Sequence, residues 1–559
     1  MQFDCTLGIE LCSTKSTFNR YMAQIRLKNF RKYESLDSLK LNNINIFVGK
    51  NNAGKSTVVK AIMLALDNIR SLRWKDVASK EGMQSILIAP KPLFRFDANG
   101  FHNLHIGTFE RAKCKWLDDS RITIALEYNG IEFEITVAGV MGDGQVSMPI
   151  EKLKLFVPLH SNYEFDFVNN TMTFSQGVKL MNNLSYELQK ELSWVNNEIS
   201  MAENEVEEAA KNNDAIEAAE GQQKLQKLIS LKKALMIEQK QQEKKSVIEQ
   251  ATFNLSYFHE SIGENILVQY VKTFIMIADS PIAMKKNAKG YNDKISKIQY
   301  LDENRKIIAE AAEKLENVLS NIYVDYIPAH AATQKLILNV DDKQDINSRV
   351  VHEFFQENIL EGEKADRFIK KWLKEFEIGE NIIVTSLGGE GYYVNVYTGD
   401  NEVHLADMGM GSIQLIILLM RLATIGHRST STLQPWWIFI EEPEQNLHPM
   451  IQSKLADLFE DFTQTFCDPY MHTLIIETHS EYLVRRTQVM AAEYVEKYLE
   501  PITDDMFPFK VVYFPVERGK QPYDMQYLPN GMFANKFDSG FFDEAGRMHM
   551  EILKKSKKR

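Results

Sequence analysis

The sequence predicts an α/β fold: a mixed β lobe joined to a parallel-sheet lobe, interrupted by an inserted helical or coiled-coil hairpin. Three observations carry this expectation. A glycine-rich loop stands between an apolar strand and an amphipathic helix at residues 44 to 69, apolar strands alternate with helices over residues 436 to 497, and a Leu-, Lys- and Gln-rich stretch of helical period fills residues 183 to 250.

Residues 1–21 carry Asp4 and Glu10 where a signal peptide would be basic and then apolar, and they read as an irregular leader. Apolar alternation over Met22 to Leu27 predicts a strand, Ile44 to Val48 a buried strand, and Ser56 to Ile69 a helix. Short alternating runs between residues 121 and 175, punctuated by Asn-Gly, Gly-Asp-Gly and Asn-Asn, predict antiparallel hairpins, so residues 22–182 form the first part of the main body. Leu184, Leu188, Leu192, Val195, Ile199, Ala202 and Val206 then recur at steps of three and four. The segment Lys211 to Ala215 breaks this pattern, and Leu225, Leu228, Leu231 and Leu235 resume it. Two readings fit: an amphipathic helix pair packed on the body, or a protruding antiparallel coiled coil of ~45 Å per arm at ~1.5 Å per residue. Helical character continues from Thr252 to Asn321, which makes residues 183–322 the insertion.

The body resumes over residues 323–498. It has a strand at Val324 to Pro328, sheet-like sequence from Ile382, helix 413–425, strand 436–440, helix 448–463, strand 473–477 and helix 480–497. Strands alternating with helices imply a parallel sheet covered on both faces. Residues 499–559 remain as a hairpin and tail.

Composition narrows the functional classes. A formal net charge of −11, from 65 Lys+Arg against 76 Asp+Glu, excludes a protein coated in basic surface, so nucleic acid would need a local patch or a partner. Cys5, Cys12, Cys114 and Cys467 form no CxxC pair, which points to reduced thiols rather than a zinc site or a disulfide framework. No uninterrupted apolar run approaches the ~20 residues of a membrane span, and a cytoplasmic protein with no membrane partner is expected.

The strongest motif is GKNNAGKST, Gly49 to Thr57, which satisfies G-x-x-x-x-G-K-[ST] directly after a strand and at the opening of a helix. Gly49 and Gly54 permit a tight loop; the backbone of Asn51, Asn52, Ala53, Gly54 and Thr57 can face phosphate oxygens. Lys55 supplies charge to β- and γ-phosphates, and Ser56 a hydroxyl for Mg²⁺. ATP and Mg²⁺ are therefore the expected ligands.

A phosphate loop needs a second strand that delivers an acid to the metal. Trp437 to Ile440 is such a strand and ends in Glu441 and Glu442. We assign Glu441 to Mg²⁺, directly or through its water, and Glu442 to the attacking water as general base. Glu444, Asn446 and His448 admit a loop-and-cap role or a contact across an interface. The segment LADMGMGSIQ places Asp407, Gly409, Gly411, Ser412 and Gln414 before an apolar helix, a second phosphate-binding device. The strand TLIIE is followed by Thr478 and His479, suited to sense a γ-phosphate by hydrogen bonding.

In order, LKNFRKYESL, GKNNAGKST, LADMGMGSIQ, IFIEEPEQNLHP and IIETHSEYL resemble the ABC-type ATPase heads of the overcoming-lysogeny-defect (OLD) family and its relatives in DNA repair and phage defence. The likeness covers about residues 22 to 70 and 400 to 490, and a head split by a coiled coil is also similar to SMC-type ATPases. The resemblance implies a head-to-tail homodimer or higher oligomer, in which Asp407, Gly409, Gly411, Ser412 and Gln414 of one subunit close over ATP held by the Gly49–Thr57 loop of another. The family's basic residue after its Asn-Phe pair falls on Arg31, an expected phosphate contact. The family signature reads Gly-x-Gly-x-Ser-Gln, whereas here Ser412 precedes Ile413; Gln84 is the candidate for the family's glutamine loop.

The tail separates the relatives. OLD-type proteins continue into a Toprim nuclease with an Asp-x-Asp metal set, and the 80 residues after His479 contain none, so no nuclease domain is expected and Glu517 reads as a hairpin residue. The ending FDSGFFDEA looks like that of PtuA-like ATPases of Septu systems, including those paired with retrons. That likeness implies an antiviral defence ATPase acting with a separate HNH nuclease, with DNA or retron RNA–DNA as further candidate partners. The alternatives are an SMC-like repair ATPase that clamps DNA itself, and an ATP-bound sensor scaffold that releases a toxic effector, as in PARIS systems.

Overall fold

The computed structural model describes residues 23–72, 92–97, 106–139, 144–157, 161–176, 250–255, 265–279, 291–329, 334–342, 345–432, 434–466, 472–498, 502, 507–538 and 542–556, with scattered residues between 195 and 233. The chain divides into two compact units. One comprises Met1–Asp67, Phe96–Asn129 and Asn321–Arg559; the other comprises Asn68–Arg95 and Gly130–Ser320.

The first unit is built on a sheet in the order Tyr323–Ile327, Trp436–Glu441, Thr473–Glu477, Ile44–Gly49 and Phe509–Phe514, all parallel, with Tyr523–Asp524 antiparallel at the edge. Its central strands are apolar throughout (INIFVG, WWIFIE, TLIIE, FKVVYF) because both faces are covered. On one face Ile46, Val48, Ile438, Ile440, Leu474 and Ile476 pack into a core shared with Ile416, Leu455, Phe459, Phe462 and Leu483 from the helices Met410–Thr432, Pro449–Phe466 and Glu481–Tyr498. The α/β class with a parallel sheet thus stands as expected. So do the predicted elements between 44 and 69 and between 436 and 497, displaced by a few residues at their ends.

Antiparallel structure completes this unit. Ala23–Phe30 pairs with Tyr33–Leu41 through a two-residue turn and with Arg121–Tyr128 on its other side. A four-stranded sheet joins Leu338–Asn339, Gly391–Thr398, Asn381–Leu387 and Asn401–His404. Glu517 lies between Phe509–Phe514 and its antiparallel partner Tyr523–Asp524, where a hairpin residue belongs.

The Met410–Thr432 helix is long and apolar enough to cross a membrane, although Arg421 interrupts its run; 78% of its apolar window is buried inside the fold. The buried Arg421 is neutralised: its Nε donates to Asp325 Oδ2 at 2.6 Å, and its guanidinium also pairs with Glu353, which accepts from Arg428 at 3.0 Å. Burial would raise the Asp325 pKa, but Arg421 overrides it and holds the carboxyl low.

In the second unit, Ile131–Ala138, Ser147–Val157, Ser161–Asp166, Thr171–Gln176 and Gln250–Asn254 form an antiparallel meander, with Leu93–Arg95 on Ser147–Val157. Its aromatic face, Tyr163, Phe165 and Phe174, stacks on Tyr270 and Phe274 of the helix Ile266–Asp279, beside Tyr291–Glu303 and Arg305–Ser320. The expected boundary at residue 183 is therefore not a boundary of compactness. Strands 131–176 belong with the helices up to Ser320 because their aromatic faces bury one another, and Thr252 to Asn254 is strand rather than helix. Val195, Ile199, Ala202, Gln222, Leu225, Gln226, Leu228, Ile229, Ser230, Lys232 and Lys233 are helical and Gln250 is strand; the other residues of the predicted 183–250 hairpin, the leader and Gln84 lie outside the described residues.

Two outcomes are expected. Asp325→Ala leaves Arg421 buried without its main counter-charge and should cost about 3–5 kcal/mol in chemical denaturation. The buried His472 accepts from the Trp436 N–H through Nδ1, and burial pushes its pKa down to about 4. Its folded value lies below the ~6.5 of an unfolded histidine, so its contribution is complete above ~6.5 and is lost as pH falls toward 4. His472→Gln should flatten that part of the melting-temperature profile.

Candidate functional site

The C-terminal ends of three neighbouring strands meet at one edge: Gly49, Glu441 and Glu477. Register fixes this, since Glu441 pairs with Glu477 and Glu477 with Phe47. The carboxyl edge of a parallel sheet is where such folds place ligands.

The glycine loop leaves Gly49 at φ +153 and reaches the Lys55–Ser71 helix through Gly54 at φ +105. A Cβ on Gly49 would lie 2.6 Å from the Phe514 carbonyl, and one on Gly54 2.6 Å from Tyr33 Oη. Asn51 and Asn52 are exposed, with Asn52 at φ +62, and Ala53 is buried. Lys55 is 3% exposed; its Nζ donates to the Gly49 carbonyl at 2.9 Å, the Lys50 carbonyl at 3.3 Å and His479 Nε2 at 3.3 Å. Burial lowers its pKa, against the charges of Glu477, Glu442 and Glu444. Ser56 Oγ donates to Glu477 Oε1 at 2.8 Å. Thr57 lines the same cleft.

Arg31 occupies the two-residue turn after Phe30, at φ +50, and lies in that cleft. The other turn residue, Lys32, donates to the carbonyls of Ala53 at 2.6 Å and Pro515 at 2.8 Å and so ties the loop down. Lys60, Arg111, Lys113 and Lys115 complete a basic wall beside Trp116 and Arg518. Burial lowers the Arg31 and Lys60 pKa values, and mutual repulsion with Arg111 adds to this, the pattern of a pocket built for an anion.

On the acidic side, Glu441 is half-buried and interacts with the Tyr326 hydroxyl. Glu442 sits at φ +45, with its N–H donating to the Glu477 carbonyl at 2.7 Å, the Gln445 amide on its Oε2, and Oε1 3.8 Å from His479 Nε2. Because an ammonium group only donates, His479 Nε2 accepts from Lys55 and its proton resides on Nδ1. Burial and then Lys55 lower the His479 pKa, while Glu442 opposes them.

Glu444 is 8% exposed and its Oε1 accepts from the His479 N–H at 2.7 Å, so it braces the adjacent strand end in its own chain, which fits the loop role left open for it. Gln414 points inward: it is buried and donates to the Glu442 and Pro443 carbonyls, each at 3.3 Å. The helix turn that carries it begins at Met410, which directs position 414 toward the core while Asp407 and Gly409 stay exposed and Gly411 and Ser412 half-buried. Gly411 faces the loop after the acidic strand, where a Cβ would meet the Asn446 carbonyl at 2.5 Å.

The donor types suit a hard divalent cation: the Ser56 hydroxyl and the Glu441 carboxylate, both at the sheet edge that carries the phosphate loop. The AAA ATPase domain family matches residues 21–484. This chain belongs to that family. No curated protein matches this AAA ATPase. Among solved structures it is similar to a Pyrococcus furiosus Smc head domain with an extended coiled coil bound to the C-terminal domain of ScpA, at 11% identity and a TM-score of 0.32, covering 95% of this chain and 98% of that one. It is also similar to an SmcHead bound to the C-winged helix domain of ScpA (12%, 0.33, 90% and 97%) and to the recombination mediator RecF with ATPγS (10%, 0.26, 90% and 97%).

Sequence reasoning missed Glu477, Lys32, Lys60 and Arg111 in this AAA ATPase. The glutamate stood in plain view before Thr478, but only strand register reveals that it faces Ser56. Gly49→Ala should cost about 1–3 kcal/mol in denaturant unfolding, because the Phe514 carbonyl is backbone and cannot yield. Gly409→Ala, with nothing within 4 Å of the added carbon, should change stability by less than about 0.5 kcal/mol.

Proposed function

We propose that the chain is the ATP-binding and hydrolysing subunit of an antiphage defence complex, an ABC-type head whose nucleotide state controls a separate nuclease of HNH type. The observation that carries the chemical part is the constellation of Lys55, Glu442 and His479, with a 3.3 Å contact between Lys55 and His479 and 3.8 Å between His479 and Glu442. Lys55, Arg31 and the N–H groups of the loop bind the triphosphate. Ser56 and Glu441 hold Mg²⁺, which neutralises charge on the phosphate oxygens when bound.

Glu442 takes the proton of the attacking water, and the Gln445 amide on its other oxygen fixes its orientation. His479, anchored through its N–H to Glu444, stands at the γ-phosphate position. The exposed Asp407 and Gly409 and the helix start at Gly411 and Ser412 support the reading of a surface that meets ATP on a second copy of the chain. The defence role, the HNH partner and any retron RNA–DNA rest on the motif order and on the resemblance of the tail.

Lys55→Ala should abolish nucleotide binding in a fluorescence titration. Glu442→Gln should still bind ATP yet lose turnover by about 10²–10⁴-fold and accumulate the ATP-bound state. Equal single-turnover rates for wild type and Glu442→Gln would sink the base assignment. A second reading, an ATPase that clamps DNA itself, draws on the exposed Arg111, Lys115 and Trp116 beside the loop. It requires salt-dependent DNA binding by the chain alone.

A further inference from the structure

Glu477 ends its strand as the register partner of Glu441, so the two carboxylates leave neighbouring parallel strands ~4.8 Å apart at matching positions. Their charges act on each other, and both act on Lys60. Glu477 lines the phosphate-loop cleft and is 7% exposed. Its Oε1 accepts from Ser56 Oγ at 2.8 Å, whereas Oε2 is buried with no hydrogen-bond partner. Lys55 Nζ stands 3.8 Å from Oε1, an ion pair without a hydrogen bond. Leaving such an oxygen unsatisfied is costly, and a cation removes that cost.

We propose that Glu477 is a direct ligand of the divalent cation, so that the site holds its metal between two carboxylates, Glu441 and Glu477, and the Ser56 hydroxyl. The inference rests on the Mg²⁺–ATP reading above and adds a ligand to it. Two carboxylates balance the charge of a divalent ion, so the cation is retained without help from a γ-phosphate. The all-oxygen set selects Mg²⁺ or Mn²⁺. A cation that takes Glu477 also draws negative charge away from Lys55 and leaves that ammonium free for phosphate.

The test is Mn²⁺ binding to the full chain, read by electron paramagnetic resonance with no nucleotide present, together with ATP binding in EDTA. Glu477→Gln preserves shape and an acceptor for Ser56, and should weaken Mn²⁺ binding by at least about 10-fold, while ATP binding in EDTA, where Lys55 loses a competing charge, is no weaker than in wild type. Equal Mn²⁺ affinity in variant and wild type overturns the proposal and leaves the ATP reading standing. Failure of wild type to bind ATP overturns that reading instead. Should the variant not fold, electron–nuclear double resonance on wild-type protein labelled with carboxyl-¹³C glutamate decides: two coupled carboxyl carbons are expected, and one or none refutes the second ligand.

Discussion

The parallel pairing of Thr473–Glu477 between Trp436–Glu441 and Ile44–Gly49 is the constraint on which the site depends. These strands are buried on both faces and pair without a break, so a slip of one residue would turn every side chain to the opposite face. Held in register, they bring Gly49, Glu441 and Glu477 to one edge from three remote parts of the chain. The helix that starts at Lys55 then needs only the short loop to place its N-terminus over them.

Around that edge the electrostatics are sharply divided. Arg31, Lys60 and Arg111 repel one another across a common cleft, while burial pushes the Glu477 carboxyl up to about 7 against the opposing pull of Lys55 and Ser56. Neither arrangement favours the isolated fold. Both suit a polyanion and a divalent cation, for which the polar groups are already oriented and need little reorganisation. Lys32 shows the same economy: it spends its charge on two carbonyls that fix the loop, leaving phosphate contacts to its neighbours.

Local signals made much of this legible in the sequence. The loop, the acidic strand end, the histidine after the strand Thr473–Glu477 and the alternation of strands with helices all lie in short continuous motifs. What escaped was long-range. Ser56 meets Glu477 across 421 positions and Lys32 meets Pro515 across 483, pairings that no window of sequence displays. Gln414 was misplaced because a motif gives residue types without helical phase, and phase turns this amide into the core. The compact units also escaped, since the aromatic strands between residues 131 and 176 gave no sign that their packing partners lay beyond residue 265.

The inward-turned Gln414 carries a mechanical implication. Its amide grips the backbone of the residue assigned to water activation, while three positions earlier Gly411 backs onto the Asn446 carbonyl. The helix start at Gly411 and Ser412 and the loop that bears Glu442 are therefore held together by backbone contacts. On the function proposed above, a second copy pressing on that helix start would displace the proposed base within the same subunit, a coupling through backbone geometry that needs no charge to cross between copies.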